Sequence, residues 1–278
     1  MEMPRWTIAE LLTRYELEPS LTDVFVEGQF DKDILMCAYD HAPNEKRAMY
    51  TADVLDISHD MFEKHSLTKG NKQKLIILCR ELSDVNEHEN VRFIVDRDTD
   101  HWFGDLEIGK GLRWTEFCDI ETYFFEEDFV KELVVNAGKA KIDKWNVFYE
   151  SFHNALKALF AVRAAAREAG LSLDYMDFEK YLSIGDGRLC FDLDTYIQRT
   201  LHKSKLFEHN EKMLEAIREW CQRFNGDPRL FCRGHDFVVL IAWAILKFRG
   251  AKSLSNEVIC RILVLLVPRD AGRFASLL

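Results

Sequence analysis

The chain has 278 residues, 47% of them hydrophobic and 30% charged, which is enough apolar material for a large core and too much for a disordered segment. Its seven cysteines stand singly at 37, 79, 118, 190, 221, 232 and 260, with no CxxC pair, which argues against a disulfide framework and against a zinc site. The net charge of -10 is unevenly spread: residues 1–140 hold 16 Lys+Arg against 30 Asp+Glu, and residues 141–278 hold 21 against 17.

Met-Glu-Met-Pro-Arg-Trp at the N-terminus lacks a charged and apolar signal pattern. The most apolar stretches, 237–246 and 258–267, are too short to span a bilayer, so a soluble cytoplasmic protein with no membrane contact is expected. Periodicity predicts a helix over 8–15, a strand over 22–26, a helix over 31–39 and a second strand over 52–57. Gly70-Asn71 opens an amphipathic helix with the stripe Leu75, Ile76, Leu78, Cys79 and Leu82, and the run 91–95 is the next strand. An element near 112–117 leads into 119–123, read as the last strand turning into a helix. Strands alternating with helices imply right-handed crossovers and a mostly parallel sheet.

From about residue 127 the pattern turns helical, with helices over 144–169, 208–224, 237–248 and 256–266 and a tight turn at Gly185-Asp186-Gly187. The fold class is therefore α/β: a mostly parallel sheet flanked by helices over 1–126, with a largely helical domain over 127–278 packed on it. That second domain is expected to carry dimer, substrate or partner contacts.

Two apolar strands end in acid, at Val24-Phe25-Val26-Glu27-Gly28 and at Val91-Arg92-Phe93-Ile94-Val95-Asp96-Arg97-Asp98. Strand alternation would set the Asp96 and Asp98 carboxylates on one side, and Glu27 adds a third hard oxygen donor. Such a cluster at the carboxyl ends of parallel strands suits Mg2+ and phosphoryl-transfer chemistry, although acids also end strands simply to reach water. Asp100 joins the set only if the strand geometry continues. Gly28 would let the chain turn sharply and a substrate approach closely, and Asp31 reads as the acid that favours the following helix N-terminus. Lys72 and Lys74 could meet a phosphate at the start of their helix or form an ordinary solvated face. Glu121 could support the metal site, or a second metal, or cap a turn. In Arg233-Gly234-His235-Asp236, Asp236 could cap the following helix and leave His235 free for a phosphate or a partner. No GxxxxGK[ST] loop is present, so the chain is not itself a P-loop ATPase.

The trio Val-Glu-Gly, Gly-Asn-Lys and Val-Asp-Arg-Asp resembles the Toprim domain, the small α/β fold of topoisomerases, primases and several nucleases. With Asp-Ile-Glu-Thr-Tyr and Gly-His-Asp following, the chain is similar to the Toprim-like effectors of anti-phage defence. That resemblance implies Glu27 as catalytic acid or base, with Asp96 and Asp98 on Mg2+, or Mn2+ in its place. It also implies cleavage of host tRNA, restraint by a partner ATPase sensor of ABC or SMC type, and release as a homodimer. Two other functions stay open: a non-catalytic regulatory subunit that docks through 258–267, and a Toprim nuclease that nicks DNA.

Overall fold

A computed structural model describes residues 5–40, 47–83, 90–274 and 276–277; residues 1–4, which belong to the stretch read above for a signal pattern, lie outside them. The chain divides into one unit of Met1–Glu116 with Ile262–Leu278 and a second of Phe117–Arg261, so the division falls earlier than 126/127 and the C-terminal segment returns to the first unit.

In the first unit the elements run β1 (Trp6–Thr7), α1 (Ile8–Leu17), β2 (Asp23–Val26), α2 (Gln29–Asp40), β3 (Ala48–Thr51), β4 (Leu55–Asp56), α3 (His59–Lys64), α4 (Asn71–Ser83), β5 (Arg92–Val95), α5 (Asp100–Phe103) and β6 (Leu112–Trp114). Thr7 starts α1 through a capping box with Glu10. The main sheet has the order β3-β2-β5-β6, and every pairing in it is parallel. All four residues of β2 are buried, as expected of a central parallel strand covered on both faces. Phe25, Phe93 and Val95 join the α4 stripe in one core with Leu11 and Tyr15 of α1. By alternation, Val24, Val26 and Ile94 face the other side of the sheet. The 3-10 stretch Val267–Phe274 packs against α2.

The strand expected over 52–57 is displaced. Residues 48–51 form the strand paired with β2, Ala52–Val54 is a 3-10 turn, and Leu55–Asp56 pairs with β1. Ala52, Val54 and Leu55 are core residues, so their apolar pattern reports packing and not sheet pairing. Gly111 is required by geometry: its φ is +79° and a Cβ there would meet the Val91 carbonyl oxygen at 2.3 Å. This close approach seats β6 beside β5, with Phe93 N–H donating to Gly111 O at 2.9 Å.

The second unit contains α6 (Glu127–Lys131), which continues as a π-helical stretch over Glu132–Ala137, then α7 (Trp145–Glu168), a hairpin of β7 (Leu182–Gly185) and β8 (Arg188–Phe191), α8 (Leu193–Lys203), α9 (Asn210–Arg223) and α10 (Gly234–Lys247). The final helix, α11 (Asn256–Leu266), starts here and ends in the first unit. Asp186 and Gly187, both at positive φ, make the two-residue hairpin turn. Aromatic rings dominate the core, with Phe125 5.0 Å from Phe237 and Phe160 5.4 Å from Phe224 between centroids.

No strand forms over 119–123. Buried Asp119 accepts the Thr122 amide at 3.1 Å, and this local bond closes a turn that continues as the 3-10 helix Glu121–Phe124. Of the segment 258–267, Ile259, Leu263 and Val267 are buried, while Val258 and Leu265 are exposed. Among the described residues no helix is long and apolar enough to cross a membrane.

Candidate active site

Because β2 and β5 are neighbours in register, Val26 opposite Ile94, their outgoing loops lie side by side at the carboxyl edge of the sheet. Glu27 follows β2 there, and its Oε1 accepts the backbone N–H of Asp96 at 2.8 Å. The Glu27 carbonyl accepts from Asn71 Nδ2 at 2.9 Å, which ties the start of α4 to the same loop. The chain segments that the sequence singled out therefore converge.

Alternation does not govern the two aspartates, since β5 ends at Val95 and Asp98 is left-handed at φ 43°. Asp is among the few residues that tolerate this conformation, at a cost of about 1 kcal/mol. The turn carries the Asp98 and Asp100 carboxylates to Lys72, whose Nζ bonds Asp98 Oδ2 and Asp100 Oδ2, the latter at 2.9 Å. Asp100 thus enters the cluster through the loop and the start of α5, and no continuation of the strand is needed. The contact between Asp96 and Glu27 runs through the Asp96 backbone amide.

Lys72 is only 7% exposed and its Nζ lies 5.7 Å from the centre of the Trp114 ring. Burial works against its charge, but Asp98, Asp100 and Glu27 outweigh burial and raise its pKa. Lys74 is placed elsewhere: its Nζ reaches the carbonyls of Ala52 and Leu55, both at 3.4 Å.

Asp31 completes the picture. Its Oδ2 accepts the Gly28 N–H at 2.8 Å, a helix N-terminal bond, and it also raises the Glu27 pKa electrostatically. The sequence offered Asp31 only as a helix acid; its signal was the four-residue spacing from Glu27 across the strand-to-helix turn. Gly28 is not left-handed, and a Cβ there would meet only Asp31 Oδ2 at 3.5 Å, so the sharp turn expected at this glycine is not required.

Burial, with help from Asp98 and Asp31 and against Lys72 and the Asp96 amide, pushes Glu27 up to about 8. Burial and Asp98 push Asp31 up to about 6, against the Gly28 amide. Glu27 shares the buried ammonium of Lys72 with Asp98 and Asp100, while the charges acting on Asp31 and Glu27 from Asp98 add to the effect of burial. Among the described residues no three acidic, His or Cys side chains form a ready-made metal cage. Mg2+ does not need one, because it binds through one or two carboxylates and completes its shell with water and phosphate oxygens. Hard oxygen donors with raised pKa values at a sheet edge fit that ion chemically.

The remaining sequence candidates belong to the second unit. Glu121 opens the 3-10 turn beside Gly234, where a glycine Cβ would meet the Glu121 Cβ at 2.5 Å. His235 lies in the first turn of α10, its pKa lowered by partial desolvation and by Arg233. Asp236 does not cap α10. The Gly234 N–H goes to Asp119 Oδ2, and Asp236 is instead held two-pronged by Arg163 at 2.9–3.2 Å. A buried carboxylate needs a full counter-charge more than a helix end needs a second cap.

No protein-family model matches the chain, and no curated protein matches it.

Proposed function

We propose that the chain is a metal-dependent phosphodiester hydrolase of Toprim type. In this reading it is an endoribonuclease acting on host tRNA as the toxic effector of an anti-phage defence system, resembling AriB of the PARIS system. The observation that supports the catalytic part is the convergence of Glu27, Asp98 and Asp100 around Lys72 at the carboxyl edge of a parallel sheet, with Asp31 in electrostatic reach of Glu27 and Asp98 and Glu27 pushed up to about 8 by burial. The tRNA substrate, the partner ATPase and release as a homodimer rest on the likeness of the motifs.

Glu27, Asp31 and Asp98, with Asp96 and Asp100 beside them, would hold Mg2+ or Mn2+. When bound, such an ion polarises a phosphoryl oxygen and makes water a better nucleophile. Glu27, protonated near neutral pH while no cation is present, becomes the group that takes a proton from the attacking water once it is ionised. Lys72 holds a buried positive charge against Asp98 and Asp100, and the Asp96 amide fixes the Glu27 carboxylate.

Incubation of wild type and Glu27→Ala with total cellular RNA and plasmid DNA, in Mg2+ and in EDTA, tests the proposal. The expected result is tRNA fragments from wild type in Mg2+ alone, with a loss of 100-fold or more in Glu27→Ala, roughly the size of a general-base contribution. Cleavage that survives EDTA or Glu27→Ala overturns the assignment, and plasmid nicking with intact RNA moves the substrate to DNA.

A further inference from the structure

The second unit has a cavity of about 290 Å³, near the lower bound of roughly 300 Å³ for ligand pockets. Its walls include Tyr175, Met176, Phe178, Glu179, Arg233 and His235. The wall is built in advance: Arg163 grips Asp236 with three hydrogen bonds and lies 4.7 Å from the centre of the Tyr175 ring, so that ring is backed by a fixed, neutralised ion pair.

The charges facing the cavity sort into used and available groups. Arg163 is matched by Asp236, and Asp177 is matched by Lys180 at 2.7 Å. Arg233 reaches only 3.7 Å from the Asp236 carboxylate that Arg163 already holds, and its side chain is 43% exposed. Glu179 is exposed at the mouth. With Asp236 held by Arg163 and Asp177 by Lys180, the charges left over are Arg233 and Glu179, which balance, so the cavity has no net positive charge to draw a bare phosphate or sulfate. One guanidinium fork, one carboxylate and an aromatic and thioether lining instead ask for a flat ligand with a double-acceptor edge and a double-donor edge. Guanine has both: its O6 and N7 match an arginine, and its N1–H and N2–H match a carboxylate. Adenine offers no double-donor edge to the carboxylate.

We infer that this cavity is a guanine-nucleotide site, with Arg233 and Glu179 reading the two edges of the base and Tyr175 stacking on its face. The guanine could come from a free nucleotide or from a guanosine within an RNA strand.

Titration of the full chain with GMP, AMP and two single-stranded tetraribonucleotides, one with and one without guanosine, tests this by calorimetry. GMP is expected to bind saturably and at least 10-fold more tightly than AMP. Arg233→Ala and Glu179→Ala, both checked for unchanged thermal melting, are expected to weaken GMP by about 10-fold or more. A guanosine-containing tetranucleotide that binds more tightly than GMP identifies a strand nucleotide, and one that binds no better identifies a free nucleotide. Equal binding of GMP and AMP, absence of GMP binding, or binding untouched by both substitutions overturns the inference.

Discussion

Glu27 and Asp31 carry the electrostatic character of this site. Their carboxyls titrate at about 8 and about 6 in the folded chain, against ordinary values of 4.5 and 3.8, so folding raises both. A raised carboxyl stabilises the fold fully below its unfolded value and loses that contribution as pH climbs to the folded value. In EDTA, wild type is therefore expected to lose stability relative to Glu27→Gln between about pH 5 and pH 8, by about 2 kcal/mol given partial solvent access. Thermal melts of both proteins across this range check the sign. The melting temperature of Glu27→Gln should rise above that of wild type as pH increases, and a gap that stays constant contradicts the charge-starved cluster. Asp31 was legible in the sequence only as a helix acid, because the fold alone brings its carboxylate within electrostatic reach of Glu27 and Asp98.

At the scale of elements, the approach of β6 to β5 depends on Gly111. A side chain there would be forced into left-handed backbone and against the Val91 carbonyl, so Gly111→Ala is expected to cost about 1–3 kcal/mol in chemical denaturation. Wild-type stability in that variant would remove the close contact as a determinant of the sheet edge. Much of the sheet and its helices could be read beforehand: the α4 stripe, the apolar run Val24–Val26 of β2 and the run leading to Asp96 all have the periodicity of their final environment. Two segments could not. Ala52, Val54 and Leu55 are apolar because they lie over the core, and in 119–123 a local aspartate bond closes a turn before any strand can form. Strand alternation likewise singled out Asp96 and Asp98 by a geometry that the left-handed Asp98 does not follow, and Lys72, read as meeting a phosphate or forming a solvated helix face, is buried and bonded to Asp98 and Asp100. Pairing of side chains distant in sequence is set by the fold and leaves no local pattern.

Across the whole molecule, charge is divided between an acidic first part and a mildly basic remainder, 21 Lys+Arg against 17 Asp+Glu over residues 141–278. If the basic part grips a phosphate backbone, RNA affinity falls by about 10-fold or more between 50 and 200 mM salt, as counterion release requires; salt-independent binding in filter or anisotropy assays removes that role. The central claim is that the carboxylate cluster holds a divalent ion, and calorimetric titration of wild type and Glu27→Ala with Mg2+ at pH 6 and pH 8 tests it most directly. The account predicts saturable binding to wild type with proton release, tighter at pH 8 because Glu27 and Asp31 must ionise, and at least 10-fold weaker binding to Glu27→Ala. Equal Mg2+ binding by both proteins, or none by wild type at either pH, would contradict it.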